Sequence, residues 1–131
     1  ISCTDPDTVH SLRALPTGFA ITQIDLGAAV LAGTQHSVST APYHRNEAGL
    51  MAALDVYMAT HEADAQQVVM SLNADYVFAC KDSSETDLML KLEPNSLLAQ
   101  LLEGHTPDWL MAIPTGIDNP ILMYEVKKPN Q

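Results

Sequence analysis

The most unusual segment of this sequence is the tetrapeptide at positions 43–46, whose side chains could bind a ligand: Tyr43, His44, Arg45 and Asn46. Arg45 is an isolated cation in a chain of formal net charge −10. An isolated arginine either pairs with a buried carboxylate or holds an anionic group with its planar guanidinium. Asp25 is the carboxylate that we expect beside it, and we favour a structural Asp25–Arg45 ion pair over a ligand clamp.

Histidines raise the question of a metal site. His36 and His44 flank the second predicted strand, and with Asp25 they could form a two-histidine, one-carboxylate set. No fixed local spacing supports such a set, so we expect loop histidines that bond to the backbone, with no metal. A glycine-rich phosphate loop and a Gly-x-Ser-x-Gly motif are both absent from the sequence, and we expect no cofactor.

Cys3 and Cys80 are the two cysteines of the chain. The first predicted helix runs antiparallel to the first strand, so Cys3 starts near the carboxyl end of that strand. Cys80 ends the third predicted strand at the same edge of the sheet. Their convergence predicts a disulfide and an oxidising compartment, and the alternative is a pair of buried free thiols.

The elements that position these residues follow from the hydrophobic pattern. Met51, Met58 and Met70 lie at helical positions and are expected in the core. Strands alternate with helices, which predicts an α/β fold: a mostly parallel sheet of about five strands flanked by helices, with the last strand antiparallel. The predicted strands are 19–24, 37–41, 76–80, 109–113 and 121–126, and the predicted helices are 5–15, 28–32, 47–59, 61–72 and 94–102.

Ligands of open α/β sheets usually bind beyond the carboxyl ends of the strands. In this chain that edge brings together Asp25 after strand one, the loop 43–46 after strand two, and Lys81-Asp82 after strand three. Asp25 is also expected to cap the helix that follows strand one. Because helix N-termini there point N–H groups outward, we predict a ligand-binding surface that favours anionic groups. Its residues are Asp25, Tyr43, His44, Arg45 and Asn46.

Length and composition limit the classes of function. The 131 residues suit a single domain, 1–131, and apolar residues make up 47% of the chain against 17% charged, so it buries a core. The acidic balance repels phosphate backbones, which excludes nucleic acid as a partner. The sequence starts with Ile1 rather than Met, so we expect a processed chain or a soluble domain excised from something longer.

Several segments resemble a group of uncharacterised bacterial multi-pass inner-membrane proteins, in which a soluble domain follows the membrane spans. These proteins share an Asp-x-Gly turn, a Thr-x-His-Ser stretch and a Tyr-His-Arg-Asn loop. The resemblance covers nearly the whole chain and places it on the periplasmic face of the bacterial inner membrane. The matching segments are 23–27, 31–38, 41–46, 74–77 and Cys80, with Cys3 ahead of strand one.

A more remote likeness is to the soluble domain of oligosaccharyltransferase catalytic subunits. That family carries a Trp-Trp-Asp-Tyr-Gly motif between a strand and a helix, and Asp25 and Gly27 match its Asp and Gly. Gln23 and Ile24 occupy the positions of the two tryptophans, and Leu26 that of the tyrosine. Recognition of a peptide acceptor therefore does not carry over from the family.

The resemblances imply an extracytoplasmic accessory domain of a membrane-embedded glycosyltransferase-like protein. Such a domain would help to position an acceptor or a lipid-linked sugar donor, with the membrane-embedded portion of the same polypeptide as its partner. Because the catalytic carboxylates of that class lie mainly in loops between membrane spans, the isolated domain is expected to be inactive. The alternatives are a stand-alone module that binds a small anion or saccharide, and a small enzyme with a His44–Asp25 acid–base pair.

Overall fold

The computed structural model describes residues 2–40 and 47–129, and within residues 47–50 it describes the backbone alone. Asp5 begins the first helix, because its carboxylate accepts a hydrogen bond from the Asp7 N–H at 3.0 Å. A 3₁₀ turn, Ser11–Ala14, continues that helix. The helices are α1 (Pro6–His10), α2 (Ile24–Gly33), α3 (Glu47–Tyr57), α4 (Glu62–Ser71), α5 (Ser84–Leu92) and α6 (Leu97–Leu102).

Within the described residues, five strands form one open sheet in the order β2-β1-β3-β5-β4. The first three strands run parallel, and β5 lies antiparallel to both of its neighbours. The prediction of a mixed α/β sheet with parallel strands one to three and an antiparallel fifth strand is therefore confirmed. The strands are β1 (Phe19–Ile21), β2 (Ser37–Val38), β3 (Tyr76–Cys80), β4 (Leu110–Ala112) and β5 (Ile121–Val126).

The central strand β3 is buried along its whole length and supplies both faces of the sheet. Val77 and Ala79 point to one face, where they pack with α3, α4 and α6 in the larger core. Tyr76 and Phe78 point to the other face, where α2 and the 3₁₀ turn cover them. A strand buried on both faces has a continuous apolar sequence, which explains why its bounds could be predicted to the residue.

Tyr57, at the end of α3, connects the larger core to the sheet. Its side chain is fully buried, and its hydroxyl donates a hydrogen bond to the Ile21 carbonyl at 2.9 Å and also contacts the Phe78 carbonyl. Burial raises the pKa of Tyr57 well above its ordinary value, and the negative charge of Glu85 adds to this effect. The neutral hydroxyl therefore remains a donor that holds α3 against the end of β1 and the middle of β3.

Several predicted bounds near the sheet edge were wrong. The strand predicted at 19–24 ends at Ile21, and the helix predicted at 28–32 spans Ile24–Gly33. The helix α5 was not predicted at all. Ser83 begins it, since its hydroxyl accepts a hydrogen bond from the Thr86 N–H at 3.0 Å. Met51, predicted in the core, is 55% exposed.

None of the helices within 2–40 and 47–129 has the length and apolar content that a bilayer span requires.

Candidate functional site

A cleft of about 490 Å³ opens at the carboxyl edge of the sheet, where β1 and β3 end. Four carboxylates line it: Asp25 follows β1, and Asp82, Glu85 and Asp87 follow β3. Among the described residues that line this cleft, none is a lysine, an arginine or a histidine. Asp25 and Asp82, predicted at one edge of the sheet, therefore face the same cleft, and its described walls carry negative charge.

The disulfide between Cys3 and Cys80 forms part of the wall of this cleft. It joins residues 77 positions apart, with their Cα atoms 5.9 Å from each other, and both side chains are buried. The bond holds the N-terminal segment against the end of β3, so that the hydroxyls of Ser2 and Thr4 line the cleft as well. The predicted disulfide is confirmed, and the alternative of two free thiols is wrong.

Glu85 lines the cleft at the point where α2 begins. Its carboxylate accepts hydrogen bonds from the backbone N–H groups of Ile24 at 2.9 Å and of Asp25 at 3.1 Å. These donors belong to the first turn of α2, which favours a negative charge beside it. Because the chain itself supplies that charge, these two N–H groups are not available to an anionic ligand.

Asp25 does not cap α2, although the sequence predicted that it would. The helix begins at Ile24, so Asp25 lies inside the first turn and Gln23 holds the N-cap position. The exposed Asp25 carboxylate is therefore one of the groups that line the cleft. Its predicted role in binding a ligand stays a prediction.

Gln23 ties the ends of β1 and β3 together beneath the cleft. Its side-chain oxygen accepts a hydrogen bond from the Cys80 N–H at 2.8 Å, and its amide nitrogen donates to the Thr86 hydroxyl at 2.9 Å. The Thr86 hydroxyl in turn donates to the Cys80 carbonyl at 2.8 Å. Gln23 is only 2% exposed, so all of these bonds are shielded from water. The sequence analysis did not identify Gln23 as a residue that connects the two strands. The feature that could have indicated this role is an amide side chain close behind an apolar strand.

Gly27 allows the segment after β2 to approach α2 closely. A Cβ atom at this position would overlap the hydroxyls of Thr22 and Thr40. Those two hydroxyls lie 2.8 Å apart, and the Thr40 hydroxyl donates to the Gln23 carbonyl at 3.1 Å. The glycine of the Asp-x-Gly turn is therefore required because the backbone after β2 crosses directly over the start of α2.

His36 lies at the opposite, amino edge of the sheet. Its Nδ1 accepts a hydrogen bond from the Gly18 N–H at 3.2 Å, and its Nε2 donates to the Leu12 carbonyl at 2.8 Å. This pattern fixes the neutral tautomer and occupies both ring nitrogens. The interpretation of His36 as a residue that bonds to the backbone is confirmed. A metal set that joins His36 to Asp25 is excluded, because the two residues lie at opposite ends of the strands.

The remaining predicted site residues, Tyr43, His44, Arg45 and Asn46, lie outside the described residues, as does the predicted Asp25–Arg45 ion pair. Thr40, the last described residue before them, is held at the carboxyl edge by its bonds to Thr22 and Gln23. Their predicted role in ligand binding stays a prediction.

The fold is similar to that of a solved structure. The C-terminal globular domain of an oligosaccharyltransferase from Archaeoglobus fulgidus superposes with a TM-score of 0.72, covering 97% of this chain and 99% of that one. The two sequences are 13% identical, so the likeness is one of fold. No protein-family model matches this sequence, and no curated protein matches it either. The remote likeness first indicated by Asp25 and Gly27 is thus supported at the level of fold.

Proposed function

We propose that this chain is the extracytoplasmic accessory domain of a membrane-embedded glycosyltransferase-like protein. It helps to position an acceptor or a lipid-linked sugar donor beside a catalytic centre in the membrane-embedded part of the same polypeptide. The observation that carries the proposal is the end-to-end fold match to an oligosaccharyltransferase domain, which leaves almost no part of either chain uncovered. Fold alone does not define a function, so the proposal also depends on the cleft.

The cleft supports this role by its position and its chemistry. It lies at the junction of β1 and α2, where Asp25 and Gly27 match the strand-to-helix motif of the oligosaccharyltransferases. Carboxylates accept hydrogen bonds from sugar or acceptor hydroxyls, and serine and threonine hydroxyls donate and accept them. The described walls therefore suit the hydroxyl-rich part of a ligand. For Arg45 both predicted roles stay open, the favoured ion pair with Asp25 and the holding of an anionic group.

The disulfide supports the proposed location. Disulfides form and persist in oxidising compartments and are rare where glutathione and thioredoxin keep thiols reduced. The bond between Cys3 and Cys80 therefore supports a domain on the extracytoplasmic face of a membrane, which includes the periplasmic face of the bacterial inner membrane.

The test is a transfer assay on the complete membrane protein that contains this domain, with a lipid-linked sugar as donor. We expect Asp25→Ala to lower the rate of transfer at least about tenfold. Arg45→Ala separates the two roles of Arg45: a loss of about 3 kcal/mol of stability identifies the structural pair with Asp25, and an unchanged melting temperature with a lowered rate identifies a ligand clamp. Glu103→Ala, at an exposed carboxylate outside the cleft, serves as the matched control and leaves the rate unchanged. A parent protein without any glycosyl transfer, or an Asp25→Ala variant with full transfer, would contradict the proposal.

The second candidate function is a stand-alone module that binds a small saccharide. The mixture of carboxylates and hydroxyls around the cleft favours this ligand class over a small anion. Titration of the isolated domain with mono- and oligosaccharides, followed by amide chemical shifts, would place the response at Asp25, Asp82 and Ser84. Inorganic phosphate, titrated in the same way, is the control and is expected to leave these amides unchanged because the cleft walls are acidic.

A further inference from the structure

The helix α5 presents two leucines to solvent. Leu88 is 55% exposed and Leu92 is 62% exposed, and their spacing of four residues places them on one face of the helix. The opposite face is anchored, since Thr86 and Met89 are buried. Single exposed leucines are ordinary, but two on one face form a continuous apolar row that the rest of the described fold does not cover.

This row begins where the cleft ends. Ser84 and Asp87, in the first turn of α5, line the cleft, and Leu88 follows Ser84 by one helical turn on the same face. Ile24, which is 37% exposed, meets the start of α5 through the bond between its N–H and the Glu85 carboxylate. The apolar row and the acidic cleft are therefore two halves of one surface, which we call the α5 surface: Asp82, Ser84, Asp87, Leu88 and Leu92.

At the cleft, the charged side chains of the α5 surface are acidic. Asp82 and Asp87 belong to the α5 surface, Asp25 and Glu85 lie beside them in the cleft, and the described lining residues include no basic group. Lys91 is the one basic residue of α5, and it lies in the last turn, four residues after Asp87 on the same face but outside the lining of the cleft, so the acidic part of the surface is its cleft end. A complementary partner therefore needs basic side chains over the cleft and apolar side chains over the two leucines.

We propose that the α5 surface docks a basic amphipathic helix of a partner protein. The apolar stripe of that helix packs against Leu88 and Leu92, and its lysines or arginines lie over the carboxylates of the cleft. Three turns of helix, about 16 Å, are long enough to cover both the leucine row and the cleft. This interaction does not depend on a role in glycosylation. It covers the same carboxylates as the saccharide or acceptor proposed above, so the two ligands would compete for the cleft, and it can be measured on the domain alone.

Charge argues against two other occupants of the same surface. A second copy of the chain, related by a twofold axis, would bring two acidic clefts together, and each copy carries a net charge of −10. An anionic membrane surface would be repelled for the same reason. A basic helix gains from both halves of the surface, because its charges match the cleft and its apolar side chains match the leucines.

The experiment uses two fluorescent three-turn peptides with the same leucine stripe, one with lysines on its polar face and the other with glutamates. We expect the lysine peptide to bind, with amide shifts concentrated in residues 82–92, and its affinity to fall as salt is raised. Leu88→Ser with Leu92→Ser should weaken binding at least about tenfold. Asp82→Asn with Asp87→Asn should weaken it too and flatten the salt dependence. Ile117→Ser removes an apolar side chain that is 93% exposed elsewhere, and it should leave binding unchanged.

Each contrary result overturns the proposal. Equal binding of the glutamate peptide, no binding of the lysine peptide, or an equal loss in Ile117→Ser would show that the α5 surface has no preference for a basic helix. A dimer of the chain that dissociates in the Leu88→Ser, Leu92→Ser variant would assign the surface to a second copy. Binding to neutral phosphatidylcholine vesicles that is lost in the same variant would assign it to lipid. Circular dichroism of every variant confirms that it is folded.

Discussion

The carboxylate of Glu85 accepts a hydrogen bond from the backbone N–H of Ile24 at 2.9 Å, so the first turn of α5 caps the first turn of α2. Two helices that lie far apart in the sequence thus share one charged contact at the carboxyl edge of the sheet. The contact fixes the width of the cleft, because Glu85 and Asp25 both line it.

This contact predicts a loss of stability when the carboxylate is removed. Glu85→Ala leaves two N–H groups of α2 without their acceptor and should lower the free energy of unfolding by about 1 kcal/mol. Asp87→Ala is the matched control, because Asp87 also lies in the first turn of α5 but accepts no hydrogen bond from α2 among the described residues. Urea unfolding of the two variants measures the difference, and equal stabilities would refute the capping role.

Gly27 gives a second prediction. Gly27→Ala places a methyl group against the hydroxyls of Thr22 and Thr40, and it should destabilise the domain by about 2 kcal/mol through overpacking. Gly116→Ala is the control, since no atom lies within 4 Å of the Cβ added there. Chemical unfolding of both variants tests the comparison, and a Gly27→Ala protein as stable as the control would show that the segment after β2 can move aside.

Reduction of the disulfide gives a third prediction. Cys3 and Cys80 close a loop of 77 residues, and in the chain-entropy model such a crosslink stabilises the folded state by about 4 kcal/mol. Thermal unfolding with and without a dithiol reductant should therefore show a clear drop in melting temperature on reduction. Mass spectrometry of the alkylated, unreduced protein checks the pairing directly, and two alkylated cysteines would contradict it.

Asp75 predicts a pH dependence at the amino edge of the sheet. Burial raises the pKa of Asp75, but the hydrogen bonds from Lys128 Nζ at 2.6 Å and the Phe19 N–H at 2.9 Å outweigh it, so the pKa lies below its ordinary value. A lowered pKa in the folded state means that the carboxylate stabilises the fold above about pH 3.9. That contribution is lost as the pH falls through the folded-state value.

The measurement compares unfolding free energies between neutral pH and acid for the native chain and for Asp75→Asn. Asp75 is 39% exposed, so water screens the pair and the expected difference stays below about 1 kcal/mol. Asp64→Asn, at an exposed carboxylate in α4, is the control and should keep the full pH dependence of the native chain. The same acid sensitivity in Asp75→Asn and in the native chain would show that other carboxylates cause it.

The buried strands could be predicted from the sequence because their patterns are local. The bounds of Tyr76–Cys80 and Ile121–Val126 were predicted to the residue, since the first is a continuous apolar run and the second is apolar except for one exposed glutamate near its end. The helix α5 was missed because Leu88 and Leu92 are exposed while the polar Thr86 is buried, which inverts the usual amphipathic pattern.

The site was only partly predictable, because its contacts are long-range. The position of Asp25 and the pairing of Cys3 with Cys80 could be predicted, because the carboxyl ends of parallel strands meet at one edge of the sheet. Glu85 could not be found in this way, since its role depends on where α5 places it relative to α2, 61 residues earlier. Gln23 was missed for a similar reason, because its partners Cys80 and Thr86 lie 57 and 63 residues away.

The position of β5 has a consequence for synthesis of the domain on the ribosome. Residues 121–126 insert between β3 and β4, so the last of the five described strands occupies the interior of the sheet. Until this segment has left the exit tunnel, β3 has an open edge and β4 has no partner. An emerging chain therefore exposes an apolar strand edge that is prone to aggregation, and the sheet can be completed only after residues 121–126 have left the exit tunnel.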